Sequence, residues 1–147
     1  MTDTRVDLAL SGSCVRVAQV TDTHLEERRG GTLLGMDTDA SLAHVLDLLR
    51  GPLRPDLLLA TGDLANHGCE AAYVRVRERF DALGLPWFWL PGNHDTGPLM
   101  HGVIGRGRPM IRCVCVGAWQ IVMLDSTVAG QVGGSLGAGE LALLDRL

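Results

Sequence analysis

The chain has 147 residues, of which 46% are hydrophobic and 20% are charged, so its length and composition fit one domain with a buried core. Its net charge is -4 and it contains no basic stripe, which argues against general binding to nucleic acid. The longest apolar run, over residues 83–91, is too short to cross a bilayer, and residues 1–6 lack the apolar segment of a secretion signal, so neither membrane insertion nor export is expected.

The cysteines form no C-x-x-C pair, which favours reduced side chains in a cytoplasmic protein. They are Cys14, Cys69, Cys113 and Cys115. The last two are separated by one residue in a strand-like segment, so both are expected on one face of that strand.

The first half of the chain alternates between predicted strands and helices. Residues 15–21 are rich in β-branched side chains, and residues 56–61 and 85–90 are short apolar runs, so all three segments predict strands. Apolar residues at helical spacing predict helices over residues 38–50 and 68–83. This order implies a parallel sheet with right-handed crossovers, and ligands of such sheets bind beyond the carboxyl ends of the strands.

The pattern changes in the second half. Residues 96–107 are rich in glycine and have weak helical potential. Two predicted strands over residues 111–116 and 119–125 form a hairpin through Gly117. A loop of glycine and serine then leads to a final helix over residues 139–147. The expected fold is therefore α/β, with a parallel β-α-β-α-β sheet followed by a hairpin.

Three short polar clusters stand where the predicted parallel strands end. They are Asp22-Thr23-His24, Gly62-Asp63 and Gly92-Asn93-His94-Asp95. Because the carboxyl ends of parallel strands meet at one edge of a sheet, these side chains are expected to lie together. Mixed nitrogen and oxygen donors suit manganese, iron or zinc, and two such ions about 3.5–4 Å apart would clamp a phosphoryl oxygen.

The position of each donor suggests its role. Asp22 and His24 are two residues apart, so in an extended segment both side chains point the same way and can hold one ion. Asp63 has two carboxylate oxygens, which is enough to bridge two ions. Asn93 offers a neutral oxygen to the second ion.

Each cluster also has an ordinary explanation. A D-x-H sequence is common by chance, and Asp or Asn after a strand is frequent in turns. His44 lies within the first predicted helix and is expected on the surface, and His101 lies in a segment with no assigned role. The conjunction of three consecutive strand ends, with Gly62 and Gly92 each placed before a candidate ligand, favours the metal site.

The motifs D-T-H, G-D-L and G-N-H-D, in this order, resemble those of the calcineurin-like metallophosphoesterase superfamily. The segments PDLLLATGDLA, LPWFWLPGNHD and MLDSTVAGQVGGSLGAGELALLDRL resemble the bacterial 3′,5′-cyclic-AMP phosphodiesterases and their class III phosphodiesterase relatives. The resemblance covers about residues 15–147. It implies an αββα sandwich that hydrolyses a phosphodiester, with cyclic AMP giving 5′-AMP.

The resemblance also implies a role for each residue of the motifs. The implied ligands of two metal ions, with iron or manganese favoured and zinc a further candidate, are Asp22, His24, Asp63 and Asn93. A hydroxide that bridges the ions would attack phosphorus in line. His94 would stabilise the transition state or protonate the leaving oxygen, Asp95 would support it, and Asn93 and His94 would contact the substrate.

The loop after the implied bridging ligand contains two further candidate site residues. Asn66 and His67 follow Asp63 closely and are expected to line the substrate pocket. The alternative is that they only begin the second helix, with Asn66 as its N-cap.

The chain departs from the family pattern after Asp95. The family supplies further histidines downstream, including a Gly-His-x-His motif, and this sequence has neither that motif nor the later strands. Residues 1–147 are therefore expected to form the N-terminal portion of the domain, with an incomplete second metal site and little activity alone. An exposed sheet face is expected to support a homodimer or a swapped assembly.

Two other functions stay open. A metal centre treats phosphorus generically, so the substrate could be another diester, such as a glycerophosphodiester or a 2′,3′-cyclic nucleotide. The missing ligands also allow a non-catalytic remnant that binds metal or nucleotide. The intact motifs favour the phosphodiesterase.

Overall fold

A computed structural model describes residues 5–9, 14–52, 54–104 and 110–147. The strands are β1 (Arg5–Leu8), β2 (Val17–Val20), β3 (Thr32–Leu33), β4 (Met36–Asp37), β5 (Leu57–Thr61), β6 (Trp87–Leu90), β7 (Cys113–Val116) and β8 (Trp119–Val122). The helices are α1 (Thr38–Leu48), α2 (Glu70–Asp81), α3 (Gly97–Ile104) and α4 (Ala138–Arg146). In this part of the chain, no helix is both long enough and apolar enough to span a membrane.

The predicted parallel sheet is confirmed. Its order is β2-β5-β6, so neighbouring strands follow each other along the chain and α1 and α2 form the two crossovers. In the register of the sheet, Val20 pairs with Ala60 and Ala60 pairs with Trp89, so these three side chains share one face. All three are buried in one cluster with Leu42 of α1 and Val76 of α2. This core fixes the strands beneath the loops that carry the polar clusters.

Both crossover helices begin and end close to the predicted bounds. Asp37 caps α1, because its Oδ1 accepts a hydrogen bond of 2.9 Å from the backbone N–H of Ala40. The N-cap of α2 is Cys69, with no side-chain hydrogen bond, so the alternative that Asn66 caps this helix is wrong. Gly84 follows α2 with a φ of 62°, a left-handed conformation that suits glycine at a helix end.

A second sheet, of order β1-β7-β8, contains the predicted hairpin of β7 and β8, which Gly117 turns with a φ of 57°. Cys113 and Cys115 lie on one face of β7 with their Sγ atoms 3.7 Å apart, as expected. The first strand, β1, was not predicted and pairs in parallel with β7. A strand of four residues whose partner lies more than a hundred positions away leaves little local signal.

Two further elements differ from the expectation. The segment 26–35, for which no strand was predicted, contains β3 and the start of a tight hairpin with β4. Its turn has positive φ at Leu34 (50°) and Gly35 (85°). The segment of weak helical potential over residues 96–107 forms α3 over its described part, and residues 105–107 lie outside the described residues.

Candidate metal centre

The loops after β2 and β5 run side by side past the carboxyl edge of the first sheet. The backbone N–H of Asp22 donates to the carbonyl of Gly62 at 3.1 Å, and that of His24 donates to the carbonyl of Asp63 at 2.9 Å. The parallel pairing then closes with a bridge between Leu25 and Ala65. The two loops therefore hold their side chains in a fixed relation, as continuations of paired strands.

Three of the expected ligands converge at this edge. The His24 Nε2 atom lies 3.9 Å from Asp22 Oδ1 and 3.9 Å from Asp63 Oδ2. The three donor atoms of this metal group, Asp22, His24 and Asp63, lie within 4.8 Å of one another. No other group of three or more His, Cys, Asp or Glu side chains converges in this way among the described residues. Two carboxylates and one imidazole suit a borderline divalent ion.

The backbone of the metal group is left-handed at all three residues. The φ angles are 55° at Asp22, 42° at His24 and 52° at Asp63, and the only other described non-glycine residue with positive φ is Leu34. Such a conformation costs roughly 1–2 kcal/mol per residue relative to ordinary helical or extended backbone. Strain of this kind persists where the surrounding structure imposes it, and it concentrates at functional sites.

Glycines let the loops after β5 and β6 come into contact. A Cβ atom on Gly92 would lie 2.2 Å from Asp63 Oδ1, and a Cβ atom on Gly62 would lie 3.0 Å from the Cα of Gly92. Gly62 also has a φ of 99°. Any side chain at Gly92 would push Asp63 out of place, which explains why glycine precedes the next candidate ligand, Asn93.

His94 is attached to the metal group through Asp63 and His24. Its backbone N–H donates to Asp63 Oδ1 at 3.0 Å, and its ring lies 4.8 Å from the ring of His24 in an edge-to-face arrangement. Its Nδ1 lies 2.8 Å from the carbonyl oxygen of Asn66. Because a carbonyl only accepts, Nδ1 carries a hydrogen there and Nε2 is left for another partner.

Asp95 has a different position from the one expected. Its carboxylate accepts hydrogen bonds from the backbone N–H groups of Leu64 (3.1 Å), Ala65 (3.0 Å) and Gly92 (2.9 Å) and from the hydroxyl of Tyr73 (3.0 Å). Asp95, expected to support His94, makes no hydrogen bond to its ring among the described residues: its hydrogen bonds join the loops behind the site, and the Asn66 carbonyl contacts the ring instead.

Tyr73 completes this back side. Its hydroxyl donates to Asp95 and accepts a hydrogen bond of 2.8 Å from the backbone N–H of Thr96. Burial raises the pKa of Tyr73 well above its usual value, so the hydroxyl keeps its proton and remains a donor. The helical spacing that predicts α2 does not reveal this contact of Tyr73, because a helical period carries no information about polar partners.

Asn66 lies on the other side of His94. It is 8% exposed, and its Nδ2 donates to Glu26 Oε1 at 2.7 Å and lies 3.3 Å from the Nε2 of the exposed His67. The structure therefore places Asn66 and His67 beside the site. The role of Glu26 could not be predicted, because its partner lies 40 positions away.

A cleft of about 220 Å³ opens at the metal group. Asp22, Asp63 and the exposed Asn93 line one side of it. Residues from the loop 126–134 line the other side, and this loop closes on itself through a hydrogen bond of 2.8 Å from the Ser135 N–H to the Ser126 carbonyl. This glycine-rich loop, for which no role was predicted, is therefore a wall of the site.

Comparison with known proteins points to one family. The sequence profile described as calcineurin-like phosphoesterase matches residues 15–134. The 3′,5′-cyclic adenosine monophosphate phosphodiesterase CpdA of Escherichia coli K12 is 40% identical over 143 residues, which make up 95% of this chain and 52% of that protein. The protein of the same description from Pseudomonas aeruginosa is 39% identical over 133 residues, 90% of this chain and 49% of that protein.

A relative with a broader description also matches. The cAMP/cGMP dual specificity phosphodiesterase of Mycobacterium tuberculosis is 34% identical over 134 residues, 85% of this chain and 42% of that protein. The chain thus spans about half the length of the curated relatives it matches. The residues matched by the family profile include the strands and loops that form the metal group.

Proposed function

The chain belongs to the calcineurin-like phosphoesterase family, and from that membership we propose that it carries the metal-binding part of a phosphodiesterase. The proposed reaction is hydrolysis of 3′,5′-cyclic AMP to 5′-AMP, the substrate for which the relatives of Escherichia coli and Pseudomonas aeruginosa are named. The observation that carries the proposal is the convergence of Asp22, His24 and Asp63 within 4.8 Å on three left-handed residues.

The donor set fits a divalent metal ion. Asp22, His24 and Asp63 would hold the first ion, and Asp63 would share a second ion with Asn93, with manganese or iron favoured and zinc a further candidate. Two carboxylates this close repel each other without a cation between them, which supports the fit. Ions bound here would supply Lewis acidity at the phosphoryl oxygens and an activated water.

The residues around the ions have separate tasks in this proposal. The Asn66 carbonyl holds the His94 ring through Nδ1, so Nε2 would be free to contact a substrate in one orientation. In its charged form the ring would stabilise the phosphorane-like transition state and pass a proton to the 3′ oxygen as the P–O3′ bond breaks. Asp95 acts through position, because it fixes the loops that carry Asp63 and His94.

Hydrolysis of cyclic AMP by the full-length gene product tests the proposal. With manganese present we expect 5′-AMP and no 3′-AMP, because the attack breaks the bond to O3′. The variant Asp63→Ala should be inactive, and Leu48→Ala, at a side chain 70% exposed on α1, is the matched surface control. Equal turnover by the wild type and Asp63→Ala would reject the proposal.

Metal stoichiometry tests the expectation of an incomplete second site. Within the described residues the second ion would find Asp63 and Asn93, a poor set of ligands. We therefore expect one tightly bound manganese ion per chain of residues 1–147, measured by elemental analysis after dialysis. Two tightly bound ions per chain would contradict this expectation.

A panel of turnover assays with a glycerophosphodiester and a 2′,3′-cyclic nucleotide separates the alternative substrates.

A further inference from the structure

A second cavity, of about 290 Å³, lies next to the cleft and shares part of its lining. We call it the hairpin pocket, because the β3–β4 hairpin and α1 form its outer wall. The end of β2, with Thr21, Asp22 and His24, forms its inner wall. Thr21 and Asp22 line both cavities. A phosphate group held at the metal group would therefore lie next to both of them.

The two cavities differ in chemistry. The cleft is lined by Asp63, Asn93, hydroxyl groups and glycine backbone, which suit phosphate and sugar oxygens. The outer wall of the hairpin pocket is mostly aliphatic, with Leu33 and Met36 from the hairpin and Val45 from α1. A nucleobase has flat apolar faces and a polar edge, and an adaptable aliphatic wall with few polar groups is the usual site for such a ligand.

Exposure of the wall residues supports a ligand here. Met36 is 56% exposed and Val45 is 42% exposed, although both stand beside a polar site. A base lying on them would remove apolar surface from water. Thr38 supplies a polar group: it lines the pocket, is only 2% exposed, and its Oγ1 has no hydrogen-bond partner among the described residues. Buried hydroxyl groups without a partner are uncommon in folded proteins.

The hairpin is held firmly against α1. The N–H of Thr38 donates to the carbonyl of Gly31 at 3.3 Å, and the Asp37 side chain at the end of β4 caps the helix. The turn of the hairpin contains Leu34, the one described non-glycine residue with positive φ outside the metal group. The hydrogen bonds of Thr38 and Asp37 therefore join the two parts of the outer wall, the hairpin and α1.

We propose that the hairpin pocket receives the nucleobase of the substrate, so that Met36, Val45 and Thr38 determine which phosphodiesters bind. The proposal rests on the proposed function for the identity of the phosphate group at the metal group. It assigns the base to the aliphatic pocket and the phosphate and ribose to the cleft, with Asp22 at the boundary between them.

Calorimetric binding of two ligands that differ only in the base tests this assignment. AMP and ribose 5-phosphate are titrated separately into the full-length gene product, with manganese present. We expect AMP to bind roughly tenfold more tightly, the equivalent of burying a modest apolar area. The variant Met36→Ala/Val45→Ala should bring the two dissociation constants within about twofold of each other while that of ribose 5-phosphate stays unchanged.

Further variants make the result specific. Leu48→Ala, on the same helix as Val45 but outside the pocket, should keep the preference for AMP. Val132→Ala truncates an exposed aliphatic side chain of the cleft and should also keep it, whereas loss of the preference only in this variant would place the base in the cleft and overturn the proposal. Val45→Ala alone serves if the double variant melts early, and it should lose part of the preference.

The outcomes separate this proposal from the proposed function. Hydrolysis of cyclic AMP together with an unchanged preference in Met36→Ala/Val45→Ala would overturn the base pocket and leave the phosphodiesterase intact. Loss of the preference in a protein that hydrolyses no diester would support the pocket and reject the enzyme. Equal affinity of the wild type for AMP and ribose 5-phosphate would overturn the pocket whatever the turnover.

Discussion

Two aspartates at neighbouring strand ends, Asp63 on the front of the site and Asp95 on its back, have opposite surroundings. Asp63 accepts one backbone hydrogen bond, from His94, and its other oxygen faces His24 at 3.9 Å. The Asp95 carboxylate accepts hydrogen bonds from three backbone N–H groups and from Tyr73. A carboxylate with unused acceptor capacity can bind an ion, whereas one surrounded by protein donors has a structural task.

The backbone shows the same division. On the front, Asp22, His24 and Asp63 adopt left-handed conformations that oppose stability. On the back, Asp95 and Tyr73 form hydrogen bonds that join the loops after β5 and β6 and offset this strain. Substitutions on the front should therefore remove function and leave the free energy of unfolding nearly unchanged. Substitutions on the back should mainly lower the free energy of unfolding.

The largest expected effect is at Asp63. Asp63→Asn keeps an oxygen for the His94 N–H but removes the charge that would bridge the ions, so turnover of cyclic AMP should fall by about a thousandfold. Manganese affinity, measured by calorimetry, should fall with it. The metal-free variant should melt no lower than the wild type, because one of two neighbouring carboxylates is gone. A marked loss of stability would blur the distinction between front and back.

The next effect is at Asp95. Asp95→Ala leaves the N–H groups of Leu64, Ala65 and Gly92 without their acceptor, and we expect a loss of about 3 kcal/mol in the free energy of unfolding. Urea denaturation of the metal-free protein measures it. Asp56→Ala offers a comparison and should lose less stability, since among the described residues Asp56 accepts a single backbone hydrogen bond, from Arg16. Equal losses in the two variants would contradict the role given to the back of the site.

Features formed by residues close together in the sequence could be predicted, and features formed by distant residues could not. The first sheet, both crossover helices and the three clusters follow from continuous local patterns, such as the apolar run before Asp63. The left-handed backbone at Asp22, His24 and Asp63 could not be predicted, because glycine is the usual sequence signal of positive φ and none of the three is glycine. The partners of Asp95 depend on how two loops meet in space, and a neighbouring histidine in the sequence suggested the wrong one.

His94 sharpens the comparison from the front. His94→Gln removes the ring that the Asn66 carbonyl holds, and kcat should fall by about a hundredfold, within the usual range for a lost proton donor. Manganese affinity should change little, because His94 is outside the metal group. Steady-state kinetics and a metal titration on the same preparation check both parts. A parallel loss of metal affinity would mean that His94 is a ligand.

Tyr73 should give the smallest effect. Tyr73→Phe removes one donor to Asp95 and the acceptor for the Thr96 N–H, and we expect a loss of about 1 kcal/mol at pH 7. Because the pKa of Tyr73 is raised in the folded state, wild-type stability should also fall as the pH rises above about 10, where the unfolded tyrosine ionises. Urea denaturation at pH 7 and at a pH above about 10 should show that the free energy of unfolding falls less between the two in Tyr73→Phe than in the wild type. An equal loss would exclude Tyr73 as its source.

Anomalous diffraction from crystals soaked in manganese tests the central claim most directly. The account predicts a peak at the carboxyl edge of the β2-β5-β6 sheet, roughly 2.0–2.3 Å from oxygens of Asp22 and Asp63 and from a ring nitrogen of His24. It also predicts that the Asp95 carboxylate remains on its backbone donors. A peak coordinated by Asp95, or no peak at Asp22, His24 and Asp63 at saturating manganese, would contradict it.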